Sequence, residues 1–185
     1  MDNQNNAAHS TTNIYNPLIE AAKPVFILVN AMQQTTSQLS TDSLINKFSL
    51  LINNFEENAE KNGARYDAIQ AAKYCLCTFV DELAVRAGWA DETWSKNSLL
   101  VSFYDETWGG ERFFEIIQNL KQDPNKNIDL LEFMYLCLQF GYKGKYQVLN
   151  SGELEIDKIK RDLLALIHSK RPDQTADLFK HNPII

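Results

Sequence analysis

The chain has 185 residues, with 18 Lys and Arg against 24 Asp and Glu, a formal net charge of −6. With a pI near 5.1, the field of the whole chain repels polyanions and excludes most nucleic-acid binders, which need a basic surface to neutralise phosphates. Hydrophobic residues make up 44%, while Gly and Pro number only 7 and 5, the composition of an ordered, core-forming chain long enough for one globular domain.

Residues 1–14 are polar and lack a cationic stretch followed by an apolar run, so they read as a flexible tail and not as a secretory signal. Asn16-Pro17 reads as an N-cap followed by a first helical position. In the helix it opens, Leu18, Ala21, Ala22, Val25, Phe26, Val29 and Met32 recur at three- and four-residue spacing, and Pro24 is expected to bend it near Glu20. A polar break over 33–40 precedes a second helix, capped by Thr41 or Asp42, with Leu44, Ile45, Phe48, Leu51, Ile52 and Phe55 on one face. A third helix is expected from about Arg65 to Ala87, burying Ile69, Ala72, Leu76, Phe79, Val80 and Leu83 and stopped by Gly88.

The stretch from Trp89 to Gly110 holds all three tryptophans, Trp89, Trp94 and Trp108, and fits short helices and turns. Leu99, Leu100, Val101 and Phe103 have strand-like periodicity, but no second strand-like run exists to pair with them, so they read as helical. A helix over Glu111 to Leu120 follows, closed by Asp123-Pro124, and then a helix from Asp129 to Phe140 that is apolar nearly all round and therefore central. The last long helix is capped near Ser151 and runs to about Lys170, burying Leu154, Ile159, Leu163, Leu166 and Ile167. These elements predict an all-α domain of about seven or eight helices over 15–171, with a loose segment over 172–185.

Nothing along the chain assembles a catalytic centre. His9 and His181 lie in the tails and His168 near the end of the last helix, and no nucleophile elbow, phosphate loop or paired-histidine zinc motif occurs. Cys75, Cys77 and Cys137 are one thiol short of a four-ligand zinc site, and positions two apart on a helix diverge by about 200°. They read as small core residues, leaving no metal and no cofactor expected.

Two constellations stand out. Asp81-Glu82 puts adjacent carboxylates late on the third helix; Glu82 could pair locally with Arg86 four residues on, or the two acids could form a docking point for a basic partner. Glu106, Trp108 and Glu111 lie in the run SFYDETWGGERFF, where Trp beside Gly109-Gly110 permits a tight turn packed on the indole but equally suits protein recognition. Gly141-Tyr142-Lys143-Gly144-Lys145-Tyr146 reads as an interhelical turn whose tyrosines stack on the bundle.

With these residues in view, Asn16-Pro17-Leu18, Cys75 to Glu82 (CLCTFVDE), Ser98 to Phe114 (SLLVSFYDETWGGERFF), Asp129 to Leu138 (DLLEFMYLCL) and the Gly141-Tyr142-x-Gly144-x-Tyr146 turn resemble, in order and spacing, the DotU/TssL/IcmH family. These are inner-membrane components of bacterial type VI and type IVB secretion systems. The resemblance implies two three-helix bundles joined by short helices, on the cytoplasmic side of the inner membrane, and a C-terminal transmembrane anchor beyond Ile185. It implies an IcmF/TssM-like membrane protein as partner and, in type VI systems, contact with baseplate proteins. It also points to Asp81 and Glu82 as partner-contact residues, with Glu106, Trp108 and Glu111 the further candidates. The family commonly carries His-Asn where this chain has Tyr104-Asp105.

The function expected is a non-enzymatic scaffold; the alternative is a helical small-ligand sensor or an adaptor unconnected with secretion. The Asn- and Lys-bearing composition leans toward a type IVB system, and a homodimer is left open. As a docking pair, Asp81 and Glu82 should tolerate charge reversal without loss of thermal stability while partner capture weakens. Replacing Trp108 by Ala should cost about 3–5 kcal/mol if the indole is core and much less if it is exposed, which denaturant unfolding reads directly.

Overall fold

The computed structural model describes residues 15–34 and 39–172; the tail over 1–14, part of the break after the first helix and the segment from 173 onward lie outside the described residues. Among the described residues the chain forms eight α-helices, one 3-10 helix and no strand. In order these are α1 (Pro17–Gln34), α2 (Thr41–Lys61), α3 (Tyr66–Arg86), α4 (Glu92–Lys96), α5 (Leu99–Tyr104), α6 (Arg112–Leu120), α7 (Pro124–Gln139) and α8 (Gly152–Lys170), with the 3-10 helix Gly144–Val148 before α8. None of these helices is long and apolar enough to cross a membrane.

The helix starts are set by short polar side chains that satisfy otherwise unpaired N–H groups. Asn16 Oδ1 accepts from the N–H of Leu18 and Ile19 at 3.1 and 3.2 Å. The cap of α2 is Ser40, one residue before the expected Thr41 or Asp42, because its hydroxyl is the one that accepts from Ser43 N–H. Asp123-Pro124 starts α7 instead of closing α6: Asp123 accepts from Lys126 N–H at 3.3 Å, and Pro124 occupies the first turn, where a missing N–H costs nothing. The helix expected from Asp129 therefore begins five residues earlier. In α8 the expected inward residues Ile159, Leu163, Leu166 and Ile167 are buried or packed on the core, but Leu154 is 73% exposed and Ile156 is buried instead. α1 is one continuous helix through Pro24.

α1, α2 and α3 pack on one another, while α7 packs against α6 and α8 and also lies on α1 and α3, so two groups of three helices share one core. Every residue of α3 from Tyr74 to Val80 is buried, which makes it, with α7, a central helix. Aromatic rings join the two groups. Phe26 of α1 lies 5.4 Å from Phe79, 6.1 Å from Phe133 and 4.9 Å from Phe140 between ring centroids, and Phe55 of α2 reaches Phe133 at 6.2 Å. A second cluster of Phe113, Phe114, Tyr142 and Tyr146 seats α6 against the turn before α8.

One buried polar cluster closes the fold where the first and last helices meet α7. Glu132, only 2% exposed, accepts at Oε2 from Asn16 Nδ2 and from Arg171, both at 2.7 Å. Arg171 also pairs with Asp129 at 2.6 Å, and Asn16 Nδ2 donates to the Asp129 carbonyl at 2.9 Å. Glu132 Oε1 has no hydrogen-bond partner. Burial pushes the Glu132 carboxyl above its ordinary value of 4.5, with Asn16 and Arg171 pulling the other way.

Removing one member of such a pair leaves an uncompensated buried charge, so Arg171→Met is expected to lower unfolding free energy by about 3 kcal/mol in urea titration; an unchanged midpoint would show the pair to be dispensable. The titration adds a pH dependence. A carboxyl with a raised native pKa holds its proton more tightly folded than unfolded, so its stabilisation is full below the ordinary value and is lost as the pH rises through the native one. The stability difference between wild type and Glu132→Gln is thus expected to be most in favour of wild type below pH 4.5 and to decline toward neutrality. Urea midpoints across a pH series check it; a difference that grows with pH contradicts it.

Candidate docking site

α3 presents Tyr74, Thr78 and the Asp81-Glu82 pair at successive turns, and each holds a segment of the chain that packs against that helix. Asp81 Oδ1 accepts from Leu99 N–H at 2.9 Å and from the Trp94 indole N–H at 3.1 Å, and Oδ2 accepts from Leu100 N–H at 2.9 Å. Leu99 and Leu100 are the first residues of α5, whose N–H groups have no partner within the helix, and an anion there also meets the positive end of the helix dipole. Glu82 acts on the other side. Its Oε1 accepts from Lys143 N–H at 2.8 Å and from Arg86 at 3.0 Å, and its Oε2 accepts from Gly144 N–H at 2.6 Å, at the start of the 3-10 helix. The side chain of Glu82 is 9% exposed. Burial pushes both carboxyls above the ordinary range, and the backbone N–H donors pull them back.

Between these clamps runs the loop from Asp105 to Glu111. A Cβ on Gly109 would stand 2.6 Å from the buried Thr78 Oγ1, so that position needs glycine for close approach, and one on Gly110 would stand 2.4 Å from the Trp108 ring and displace it. Lys145 N–H donates to the Gly110 carbonyl at 3.2 Å, and the hydroxyls of Thr78 and Tyr142 lie 3.2 Å apart beneath. Tyr74 donates to Glu106 at 2.6 Å; Arg112 also reaches Glu106 at 2.7 Å while its guanidinium lies 4.4 Å over the Tyr74 ring. Asp105 takes a left-handed conformation at φ 54° where it ends α5, and the hydroxyl of Tyr104 is buried without a hydrogen-bond partner.

The five residues singled out by the sequence thus occupy different layers. Asp81 and Glu82 lie underneath, engaged by backbone N–H groups; the local Glu82–Arg86 pair is present but is only one of several contacts. Glu106 is half-buried on the loop's inner side, whereas Trp108, 58% exposed, and Glu111 face solvent. Sequence reading missed the roles of Tyr74, Thr78 and Tyr142. The spacing of Tyr74, Thr78 and Asp81 along one helical side was a signal for the first two, whereas Tyr142 lies 64 residues from Thr78 and no local pattern links them.

Among the described residues no three His, Cys, Asp or Glu side chains converge as a metal site. The three cysteines are buried and free, and desolvation pushes their thiols upward. A cleft of about 160 Å³ lined by Leu18, Arg65, Lys126, Asp129 and their neighbours includes none of the five residues and is smaller than the roughly 300–1,000 Å³ of typical small-molecule sites.

Residues 17–183 match the family described as type VI secretion system protein DotU. The chain is similar to TssL from Vibrio cholerae, with 33% identity over 85% of this chain and 100% of that one, at a TM-score of 0.73. It is also similar to the cytoplasmic domain of TssL from Acinetobacter baumannii, at 25% identity, 83% and 99% coverage and a TM-score of 0.73. SciP/TssL from enteroaggregative Escherichia coli 042 shares the fold, at 20% identity, 82% and 88% coverage and a TM-score of 0.68. No curated protein matches the chain.

The hydrogen bonds at Asp81 change the outcome expected of its mutants. Asp81→Ala leaves the first N–H groups of α5 without acceptors and is expected to cost about 1–3 kcal/mol. Trp108→Ala, at a surface position, should shift stability by only about 0.5 kcal/mol. Urea unfolding of the two variants tests the layering; equal losses would contradict it.

Proposed function

The chain belongs to the DotU family of type VI secretion system proteins, and on that premise we propose that its helical domain is a docking platform for an IcmF/TssM-like membrane protein. The domain stands on the cytoplasmic side of the bacterial inner membrane and stabilises the secretion complex there without catalysing a reaction. Trp108 and Glu111 form the contact surface with the half-buried Glu106 at its inner edge, and Asp81 and Glu82 act as positioning residues that hold α5 and the 3-10 helix around it. The observation that carries this reading is Trp108: an indole 58% exposed on a loop fixed from below by Gly109 and Gly110. Exposed aromatics on a preorganised surface are the residues that dominate protein–protein affinity. All three similar structures named above are TssL proteins, which favours type VI over the type IVB assignment toward which composition leaned.

The test is co-purification of the full-length protein with the IcmF/TssM-like protein of its own secretion system. Trp108→Ala is expected to reduce capture by about tenfold or more with its unfolding midpoint nearly unchanged. Capture equal to wild type by a folded Trp108→Ala protein would sink the proposal.

A further inference from the structure

The indole of Trp108 lies against Gly110. The position of a Cβ on Gly110 lies 2.4, 2.5 and 2.9 Å from Cζ2, Cη2 and Cε2 of the ring. Near-equal distances to neighbouring ring atoms put Gly110 over a face of the indole, not its edge, so backbone covers one face and solvent meets the other. Glu111 is the next residue, its Cα about 3.8 Å along the chain from that of Gly110. Its side chain is exposed and makes no cap hydrogen bond at the start of α6, and no ion pair engages it among the described residues. Glu115, exposed one turn further along α6, has no ion pair either. Two cations that meet this loop are already engaged: Arg112 with Glu106 and the Tyr74 ring, and Lys145, whose N–H meets the Gly110 carbonyl, over the ring of Tyr146 at 5.6 Å.

An open aromatic face beside uncompensated carboxylates has a definite complement. The ring quadrupole attracts a cation, a guanidinium stacks flat on indole better than any other side chain, and a neighbouring carboxylate can take its two-pronged hydrogen bonds. From this geometry we infer that the Trp108 face receives an arginine-bearing segment of the protein partner, with the guanidinium stacked on the indole and paired with Glu111. The inference rests on the docking reading above and specifies its chemistry. The chain's net charge of −6 speeds the approach of such a segment, while the indole and Glu111 set where it lands.

The test uses the 185-residue chain and two end-blocked pentapeptides, Gly-Arg-Gly-Arg-Gly and the same sequence with citrulline for arginine. The readout is the indole N–H resonance of Trp108, assigned by its loss in Trp108→Phe. The arginine peptide is expected to shift that resonance saturably, and the citrulline peptide, which keeps shape and hydrogen bonds but lacks charge, to bind about fivefold more weakly or less. Trp108→Leu, which keeps an apolar group without a π face, and Glu111→Gln should each weaken the arginine peptide by about threefold or more. Glu60→Gln, which removes the same charge from an exposed position on α2, should leave it unchanged. Equal binding of the two peptides, an unmoved indole resonance, or indifference to Trp108→Leu would overturn the inference, equal binding marking a simple apolar contact. If Trp108→Ala loses the membrane partner while the arginine peptide leaves the indole unmoved, the cationic inference fails and the docking reading stands. If partner capture survives Trp108→Ala, it is the docking reading that fails.

Discussion

Two adjacent carboxylates on a helix that is otherwise apolar on nearly every side govern how the middle of this chain is arranged. Side chains one residue apart on an α-helix diverge by about 100°, so Asp81 and Glu82 cannot serve the same segment, and they do not. Asp81 takes the free N–H groups at the start of α5 together with the Trp94 indole, while Glu82 takes those at the start of the 3-10 helix. Neither α5, with six residues, nor the 3-10 helix, with five, is long enough to be stable by itself. Each is fixed because its unpaired donors find a half-buried carboxylate acceptor on α3, and a buried donor without one would cost about 1–3 kcal/mol.

The clamps act only because apolar packing brings α3 to the centre first. Phe26, Phe79, Phe133 and Phe140 draw α1, α3 and α7 together, and the cluster of Phe113, Phe114 and Tyr142 sets α6 against the turn before α8. Burial of these rings is non-directional and would tolerate small rotations of the helices. The Asp81 and Glu82 hydrogen bonds, and the Asn16–Glu132–Arg171 cluster at the chain ends of the bundle, are directional and remove that freedom. Packing thus supplies most of the stabilisation, and the polar clusters select one arrangement within it.

Much of this was legible in the sequence, for reasons that also mark the limits. The heptad-like spacing from Leu18 to Met32 and the Asn16-Pro17 start are local patterns, and α1 follows them. The Asp123-Pro124 pair is local too but ambiguous, since the same dipeptide ends one helix and begins the next; only the Asp123 to Lys126 hydrogen bond decides that it belongs to α7. Residue type places Leu154 inside against its spacing: it projects about 200° from Ile156, which with Ile159, Leu163 and Ile167 forms the inward side of α8. The partners of the Asp81-Glu82 pair could not be read at all. Lys143 and Gly144 are 61 and 62 residues away from Glu82 and contribute backbone N–H groups, which every sequence position except proline carries.

On the proposed docking reading, the same reasoning separates residues that would build the surface from those that would touch a partner. An acidic pair in an amphipathic helix looks like a binding feature when only charge and periodicity are visible, yet both side chains here hold the protein's own backbone. Trp108 looks like core by residue type and is more than half exposed. What reverses both impressions is the pair of glycines between them. With Gly109 pressed against Thr78 and Gly110 lying under the indole, the loop sits too close to α3 for the large ring to turn inward. The ring faces outward on a loop whose flanking elements are held by the half-buried acids Asp81 and Glu82. A contact surface made in this way needs little ordering when a partner arrives, and the cost of holding it in shape is met within the fold itself.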